Sequence, residues 1–415
     1  MAKAKSFYSR GRKVQTVDRI VSELQREGIL KQRAASCMLD EWVVEGRSMR
    51  NFGSCSYMGL ERHPMLIDGA MEALLEFGAN FSISRIYLEC PLYASLEERL
   101  EQAVGRPVLV TPSTTMAHLA ALPVLIGDDD LVIVDQFAHA SIHMTTDLVA
   151  DVPVELVRHS RMDLLEQRLA EAGDRFERIW YLCDGLYSML GDFAPFAALR
   201  ELLQRYPRLH LYVDDAHAMS WIGRHGRGAA LSELDGDRVV VAMSLSKAFG
   251  AGGGLLALPT VAIRERIRNT GGTLVFSGPL SPAVLGACVG SARLHLLPEF
   301  DAMQRALTER IACTRNALDR HQLKTATADD TPIFMVHYDS APRAAAVVRG
   351  LRERGFYTCV SAFPAVPMNK PSIRFTVNRH NSFEDIERLV QQLSGLSRDV
   401  GGVRSSELQA ESSGA

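Results

Sequence analysis

The sequence has no hydrophobic segment long enough to cross a membrane. Its longest uninterrupted apolar run, at residues 119–126, has eight residues and contains a proline, whereas a membrane-spanning helix needs about 20 apolar residues. The basic N-terminal stretch MAKAKSFYSRGRK is not followed by an apolar segment, so a secretory signal peptide is not expected. We therefore predict a cytoplasmic protein without a membrane span.

The cysteines show no ordered pattern. There are seven, an odd number, and no two of them form a C-x-x-C pair. Because a disulfide framework or a structural zinc site requires paired or closely spaced cysteines, neither is predicted. We expect reduced thiols and no bound metal.

Neither sign of charge is in excess. Lys and Arg total 46 and Asp and Glu total 49, so the formal net charge is −3. This balance disfavours a generally basic nucleic-acid-binding protein, and no nucleic acid is expected as a partner. Apolar residues make up 47% of the 415 residues, which is enough to form a large core and excludes bulk disorder.

Short β-rich runs alternate with amphipathic helices after about residue 105. The runs lie at residues 107–111, 131–134, 178–184, 209–214, 238–243 and 254–258, with helical stretches such as 162–171 and 195–204 between several of them. This alternation predicts an α/β fold with a mostly parallel sheet covered on both faces. Ligands bind such sheets at the carboxyl ends of the strands, where the sequence places Asp184, Asp214 and Ser244.

Four regions are predicted along the chain: an N-terminal helical segment (1–50), a large domain (51–290), a small C-terminal domain (291–395) and a disordered tail (396–415). Within the first, Val17, Ile20, Val21 and Leu24 follow the i, i+3, i+4, i+7 spacing of an amphipathic helix. A long helical connection is expected at 283–320. The small domain should contain strands near 332–338 and 372–377 and a final helix near 383–393.

Two segments carry residues suited to cofactor chemistry. SLSKAFGAGGG, at residues 244–254, places Lys247 just after a buried strand, and a packed but reachable lysine can form a Schiff base. Upstream, VDDAHAMSWIGRHGRG places Asp214 and His217 after another strand. A strand-end aspartate can keep a pyridine nitrogen charged, which makes a pyridoxal ring an electron sink. Taken singly, the lysine also fits a loop without a catalytic role, and the aspartate fits a hydrogen-bonded turn.

Together these two segments resemble the paired signatures of the α-oxoamine synthase family. The resemblance extends through NFGSCSYMGL (51–60), DQFAHASI (135–142), DGLYSMLGDFAP (184–195) and SIRFTVNRHNSFEDIERL (372–389). It implies fold type I of the enzymes that depend on pyridoxal 5′-phosphate (PLP), with a mostly parallel seven-stranded sheet and a small C-terminal α/β domain. The implied reaction condenses an amino acid with acyl-CoA or an acyl-carrier thioester and releases CO2. An aminotransferase or lyase on the same fold is the alternative, and a non-catalytic binding protein is disfavoured.

The resemblance also implies roles for single residues around the cofactor. Lys247 would form the Schiff base with PLP and later act as the base at the substrate Cα. Asp214 would pair with the pyridine nitrogen, and His139 would stack on the ring face opposite the substrate. His217 and Ser188 would lie near the phenolic oxygen.

The phosphate of PLP is expected at the start of a helix. Ser113 and the backbone N–H groups of Thr114 and Thr115 would hold it there, because helix N-termini favour anions. Ser244 would add a hydroxyl. Ser277, in FSGPLSP (276–282), corresponds to a family loop that reaches the phosphate of the other subunit, so a homodimer is implied.

The expected substrate-binding residues are Arg374, which would grip the amino-acid carboxylate, together with Cys55 and Tyr57. Three departures from the family pattern occur. The chain has Cys55 where an asparagine is usual, Tyr93 where a histidine is common, and residues 113–115 read Ser-Thr-Thr instead of Ser-Gly-aromatic. These changes predict an amino donor other than glycine. Among family members, the chain looks most similar to the α-hydroxyketone autoinducer synthases of quorum sensing and to 8-amino-7-oxononanoate synthase.

Overall fold

The computed structural model describes residues 12–149, 151–363, 366 and 370–400. These residues divide into two compact units. The first unit comprises Met58–Tyr187 and Phe193–Gln304, and the second comprises 12–57, Ser188–Asp192 and 305–400. None of the described helices is both long and apolar enough to cross a membrane.

Helices and strands alternate along much of the described chain. The strands are β1 (Ala34–Cys37), β2 (Glu41–Val44), β3 (Arg47–Asn51), β4 (Val108–Thr111), β5 (Leu131–Asp135), β6 (Val154–Val157), β7 (Ile179–Asp184), β8 (Leu209–Asp214), β9 (Val239–Ser244), β10 (Gly254–Ala257), β11 (Ile333–His337), β12 (Phe356–Tyr357), β13 (Cys359–Ser361) and β14 (Ser372–Thr376). The helices are α1 (Arg12–Arg26), α2 (Pro64–Phe77), α3 (Pro91–Val104), α4 (Thr114–Leu125), α5 (Ala140–Thr146), α6 (Met162–Ala172), α7 (Phe196–Arg205), α8 (Ala230–Glu233), α9 (Val261–Thr270), α10 (Gly272–Val275), α11 (Pro282–His295), α12 (Phe300–Arg320), α13 (Ala341–Glu353) and α14 (Phe383–Asp399).

The first unit is built on a seven-stranded sheet with the order β4-β10-β9-β8-β7-β5-β6. Every neighbouring pair is parallel except those that β10 makes with β4 and β9. Strands β4, β5, β7, β9 and β10 are buried along their whole length, as expected when both faces of a sheet are covered. The predicted mostly parallel seven-stranded sheet is confirmed.

All six predicted strands of this sheet are present, and the sequence missed a seventh, β6. This strand lies at the edge of the sheet and is only partly buried. Its Glu155 forms an ion pair with Arg168 at the surface. Because only one side of the strand faces the core, its sequence lacks the continuous apolar run that marked the other strands.

The second unit contains two small sheets, β1-β2-β3-β12 and β11-β14-β13. The expected strands near 332–338 and 372–377 are β11 and β14, which pair antiparallel. The final helix is longer than predicted and ends at Asp399. The expected helical connection at 283–320 is two helices, α11 and α12, separated by a short break at residues 296–299. Pro298 explains the break, because a proline inside a helix removes a hydrogen bond and clashes with the preceding turn.

The unit boundaries differ from the predicted domain boundaries. Residues 12–57 do not form a separate helical segment, because they belong to the second unit and contain three strands. Strand β3 pairs in parallel with β12, and the guanidinium of Arg352 donates to the carbonyl oxygens of Gly28 and Ile29 at 2.9 and 3.1 Å. The first unit continues to Gln304, beyond the predicted boundary at 290. Most of the predicted tail, from residue 401, lies outside the described residues.

Candidate active site

The carboxyl ends of three adjacent strands place polar residues at one edge of the large sheet. Asp184 ends β7, Asp214 ends β8 and Ser244 ends β9. The two aspartates are direct partners in the parallel register of β7 and β8. This is the edge at which α/β sheets bind their ligands. The loops that leave it carry Lys247 and His139.

Asp214 is buried and ionised. Its Oδ2 lies 3.0 Å from Nε2 of His118, and its Oδ1 accepts a hydrogen bond from the backbone N–H of Ala216 at 3.1 Å. Burial alone would raise the pKa of Asp214, but His118 above all, together with the charge of Lys247, outweighs burial and holds the pKa well below its usual range. A buried, permanently ionised carboxylate suits the predicted role of pairing with a protonated pyridine nitrogen.

His118 is a site residue that the sequence did not reveal. It lies fully buried on α4, and its Nδ1 is 2.8 Å from the hydroxyl of Tyr212, on strand β8. The series of hydrogen bonds from Tyr212 through His118 to Asp214 therefore orients the carboxylate. One signal was available, because His118 is the only ionisable residue of a helix whose other residues are Thr, Met, Ala, Leu, Pro and Val.

Lys247 follows β9 in a loop that is held in shape by its neighbours. Ser246 Oγ donates to the carbonyl oxygen of Gly253 at 3.1 Å and accepts from its N–H at 3.0 Å. Within the described part of the chain, the Lys247 amine forms no hydrogen bond or ion pair. Its charge nevertheless acts on Asp184 and Asp214, since it favours the ionised form of both carboxyl groups, although burial outweighs it at Asp184. An amine so placed is available for covalent chemistry.

His139 and Asp184 are joined at the same sheet edge. Asp184 Oδ1 accepts a hydrogen bond from the backbone N–H of His139 at 2.8 Å. Burial, and then the neighbouring Asp214, raise the pKa of Asp184 well above its ordinary value. The His139 ring lies 2.6 Å from Ser141 Oγ through Nδ1, and burial lowers its pKa. A neutral imidazole fixed at its edge suits stacking on an aromatic ring.

The start of helix α4 offers two backbone donors. Ser113 caps this helix, because its hydroxyl accepts from the N–H of Met116 at 3.1 Å. Within the described residues, the N–H groups of Thr114 and Thr115 have no acceptor. A Cβ on Gly254 would lie 2.5 Å from the Thr114 nitrogen, so only glycine lets β10 approach this turn. Free amides at the start of a 12-residue helix fit a phosphate group.

Other predicted cofactor residues of the first unit have local partners. Ser244 Oγ accepts from the N–H of Ser246 at 3.1 Å. His217 is buried, and its carbonyl oxygen accepts from the indole N–H of Trp221 at 2.8 Å. Ser277 Oγ donates to the carbonyl oxygen of Thr273. Their predicted roles at the cofactor remain predictions.

Tyr93, the departure from the expected histidine, is a structural residue in the first unit. It is buried, and its hydroxyl accepts a 2.8 Å hydrogen bond from the N–H of Leu280, in the FSGPLSP segment. The guanidinium of Arg85 lies 3.6 Å from the centre of its ring. Burial raises the pKa of Tyr93 to about 12. The residue thus anchors the loop that follows Ser277.

In the second unit, the predicted substrate residues cluster around Arg374 on β14. Its Nε donates to the carbonyl oxygen of Ser188 at 3.0 Å, and its Nη2 lies 3.6 Å from Cys55 Sγ. The buried Tyr57 forms side-chain hydrogen bonds with both Arg374 and Cys55. Among the residues that the structure describes, no carboxylate pairs with Arg374. A buried guanidinium that no carboxylate of the described chain pairs with is suited to bind the carboxylate of a ligand.

The sequence model of the aminotransferase class I and II family matches residues 47–393. The chain belongs to the aminotransferase class I and II family. An 8-amino-7-oxononanoate synthase of Geobacter sulfurreducens is 32% identical, with 92% of this chain and 97% of that protein covered. A second, from Chromobacterium violaceum, is 33% identical, with 89% and 95% covered.

Solved structures show that this aminotransferase class I and II protein shares its fold with known α-oxoamine synthases. A serine palmitoyltransferase from S. paucimobilis superposes with a TM-score of 0.86 at 23% identity, covering 94% of this chain and 98% of that one. An 8-amino-7-oxononanoate synthase from Francisella tularensis superposes with a TM-score of 0.70 at 21% identity, covering 85% and 98%. The predicted PLP-dependent fold type I is confirmed.

The chain is thus a PLP-dependent α-oxoamine synthase, which is an acyltransferase, as the sequence predicted. The residues present fit the cofactor: an ionised buried aspartate for the ring nitrogen, an available lysine amine and two free helix N–H groups for the phosphate. None of the described residues form a cluster of three or more His, Cys, Asp or Glu placed to bind a metal. None of the seven cysteines forms a disulfide.

Proposed function

We propose that the protein condenses an amino acid with an acyl thioester, releases CO2 and the free thiol, and yields an α-aminoketone. The observation that carries the proposal is the pair formed by Lys247 and the buried, ionised Asp214. In the second unit, Arg374 supports it as a buried cation that no carboxylate of the described chain neutralises. The relatives named 8-amino-7-oxononanoate synthase support the same class of reaction.

The first unit supplies the groups that hold the cofactor and move the proton. Bound PLP supplies an electron sink for the negative charge that develops at the amino-acid Cα. Asp214 keeps a proton on the ring nitrogen because its own charge is fixed by His118. Lys247 holds the cofactor and accepts the Cα proton. A base placed within reach of the proton contributes about 10²–10⁴ in rate.

The remaining cofactor contacts are proposed from the family roles and the local geometry. The amides of Thr114 and Thr115, with the hydroxyl groups of Ser113 and Ser244, hold the phosphate. His139 stacks on the ring as a neutral imidazole. His217 and Ser188 lie near the phenolic oxygen.

The amino donor is proposed to be larger than glycine. Arg374 binds its carboxylate, and Cys55 replaces a usual amide with a smaller thiol. The name 8-amino-7-oxononanoate describes a ketone whose amino-bearing carbon also carries one methyl group, which is the pattern that alanine would leave after loss of CO2. L-Alanine is therefore the first donor to test. The larger donors of the autoinducer synthases, L-2-aminobutyrate and S-adenosylmethionine, come next.

We also propose a cytoplasmic homodimer, with a second copy of the chain covering exposed apolar side chains of the first unit. Phe276, Leu75 and Tyr87 of this unit are 88%, 85% and 82% exposed. Large apolar side chains in such numbers are typical of an interaction surface. Phe276 directly precedes Ser277, the residue expected to reach the other subunit. Sedimentation showing an active monomer would contradict this assembly.

The function is tested by offering the PLP-loaded enzyme each of four amino donors with acyl-CoAs of varied chain length. The donors are glycine, L-alanine, L-2-aminobutyrate and S-adenosylmethionine. We expect one donor other than glycine to change the absorbance of the bound cofactor and then to release free thiol when acyl-CoA is added. Amino transfer to a 2-oxo acid without thiol release would show an aminotransferase instead. The Lys247→Ala variant is the inactive control.

A further inference from the structure

The sulfur of Cys55 lies against the guanidinium of Arg374. The distance between Cys55 Sγ and Arg374 Nη2 is 3.6 Å, and the hydroxyl of Tyr57 forms hydrogen bonds with both side chains. Tyr57 is fully buried, whereas Cys55 is partly exposed. The thiol therefore contacts a cation and a hydroxyl donor while part of its surface remains accessible.

Arg374 is buried without an obvious counter-charge. It is 8% exposed, and no Asp or Glu among the described residues forms an ion pair with it. Isolated buried charges are costly, so such a group requires an anion close by. Burial alone would lower the pKa of Arg374, yet the pKa is raised, because the neighbouring Cys55, Tyr57 and Cys359 outweigh burial.

Only one of these three neighbours is suited to carry negative charge near neutral pH. Burial raises the pKa of Tyr57 well above its ordinary value. Burial also raises the pKa of Cys359, which lies opposite Arg374 on β13. Its Sγ lies 3.8 Å from the carbonyl oxygen of Gly53, so its proton has an acceptor. Cys55 remains, and its sulfur accepts a hydrogen bond from the guanidinium of Arg374.

We propose that Cys55 is a thiolate that neutralises Arg374 in the free enzyme and is a modification site for alkylating electrophiles. A guanidinium beside a cysteine favours the thiolate, which is the nucleophilic form. In one respect the inference rests on the proposed function: the amino-acid carboxylate replaces the sulfur as the anion at Arg374, and Cys55 then takes up one proton. Bound substrate should therefore protect Cys55 from modification.

The test follows alkylation by iodoacetamide, peptide by peptide, with mass spectrometry. The thiolate attacks the methylene carbon of the reagent, a C–S bond forms and iodide leaves. Cys37 is exposed in the same molecule and is the internal control. An ordinary exposed thiol reacts about 25-fold faster at pH 9 than at pH 7, because its thiolate fraction rises through a pKa near 8.5. We expect Cys55 to change less than about twofold over this interval. Equal rises for both cysteines would overturn the proposal.

Two variants and a second readout keep the test decisive. Arg374→Gln should restore an ordinary pH dependence at Cys55, and Tyr57→Phe should do so in part. If access to Cys55 is too limited for alkylation, the ultraviolet absorbance of the thiolate is compared between the wild-type protein and Cys55→Ser at neutral pH. The wild type should show one additional thiolate, and identical spectra would overturn the proposal.

Protection of the holoenzyme by L-alanine, L-2-aminobutyrate and glycine separates this inference from the function on which it rests. A donor that changes the cofactor absorbance should slow alkylation of Cys55 at least about tenfold when it is saturating. If Cys55 has the flat pH profile but no such donor protects it, the thiolate stands and the carboxylate role of Arg374 fails. If Arg374→Gln abolishes donor binding while Cys55 behaves as an ordinary thiol, the proposed function stands and the thiolate is wrong.

Discussion

The two units stabilise their buried charges in different ways. In the first, Asp214 has its counter-charges and hydrogen-bond donors supplied by the protein: His118 behind it, the Ala216 amide beside it and the charge of Lys247 nearby. In the second, Arg374 is buried against a carbonyl oxygen, a thiol and a phenol, with no carboxylate among the described residues. In the first arrangement a protein side chain is the lasting partner of the buried charge, whereas in the second we propose that the Cys55 thiolate gives way to the carboxylate of the amino donor.

This difference corresponds to the two tasks of the enzyme. Cofactor chemistry is common to the whole family, so a site that is electrostatically fixed in advance serves every member. We propose that the amino donor is instead selected around Arg374, where no carboxylate of the described chain supplies the counter-charge. Substitutions in the first unit should therefore affect turnover, and those around Arg374 should affect binding.

The largest effect is expected for Lys247→Ala, which removes the covalent attachment and the base of the first unit. Turnover should fall by more than about a thousandfold, because a general base and a nucleophile are lost together. The exposed Lys324 of the second unit is a matched control, and Lys324→Ala should leave turnover unchanged. Thiol release assays measure both. If Lys247→Ala keeps a few per cent of the wild-type activity, Lys247 is not the residue that forms the Schiff base.

Asp214→Asn removes the fixed negative charge but keeps the shape of the side chain. PLP should still bind, while exchange of the substrate Cα proton slows by about two to four orders of magnitude, since a neutral pyridine is a poor electron sink. His118→Asn should have a smaller effect in the same direction, because Asp214 loses its orientation and its main stabilising partner while the charge of Lys247 remains. Isotope exchange at Cα measures both. If Asp214→Asn exchanges the Cα proton as fast as the wild type, the proposed role of Asp214 at the ring nitrogen is wrong.

Arg374→Gln should affect binding and spare the cofactor. Loss of a charge-assisted contact with the carboxylate costs about 1.5–3 kcal/mol, or roughly 10- to 150-fold in amino-acid affinity. The absorbance of bound PLP without substrate should change little, because all the proposed cofactor contacts except Ser188 lie in the first unit. Titration with the amino donor measures the affinity. If Arg374→Gln alters PLP binding but leaves donor affinity normal, Arg374 serves the cofactor and not the amino donor, and the proposed difference between the units is wrong.

Asp215 is an exception within the first unit, because its buried charge is poorly satisfied. Its Oδ1 has no hydrogen-bond partner among the described residues, and burial raises its pKa to about 7. Between about pH 4, the unfolded value, and pH 7 the folded protein binds the additional proton, so this group destabilises the fold as pH rises. Asp215→Asn should gain roughly 1 kcal/mol relative to wild type per pH unit across this window. Urea unfolding at several pH values measures the free energy of unfolding, with Asp128→Asn at an exposed position as the control. If the free energies of the wild type and Asp215→Asn change in parallel with pH, the prediction is wrong.

The smallest effect is expected for Tyr93→Phe. The change removes the hydrogen bond to the Leu280 amide and should cost about 1 kcal/mol of stability. If the FSGPLSP segment reaches the phosphate of a second subunit, PLP affinity should also fall, by a few-fold. Equilibrium unfolding and PLP titration separate the two effects. A loss of stability without change in PLP affinity would confine Tyr93 to the fold of the first unit.

The large sheet was predictable because its strands are buried on both faces and read as continuous apolar runs. The positions of Asp214 at the end of β8 and of Lys247 just after β9 were predictable because their segments follow apolar runs, and their roles at the cofactor remain predictions from the family resemblance. Three features were not. The edge strand β6 lacks an apolar run, His118 is a single histidine in an apolar helix, and residues 12–57 join the second unit through pairing of β3 with β12. This pairing joins segments about 300 residues apart, which local patterns cannot show.

The central claim is that this chain makes a carbon–carbon bond with loss of the donor carboxylate. It is tested most directly by giving the PLP-loaded enzyme a carboxyl-labelled amino donor, beginning with L-alanine, together with an acyl-CoA. Labelled CO2 and free CoA thiol are then measured in the same reaction. We expect both to appear in equal amounts, neither to appear when one substrate is left out, and Lys247→Ala to abolish both. Thiol release without labelled CO2, or amino transfer to a 2-oxo acid with the label retained, would contradict it.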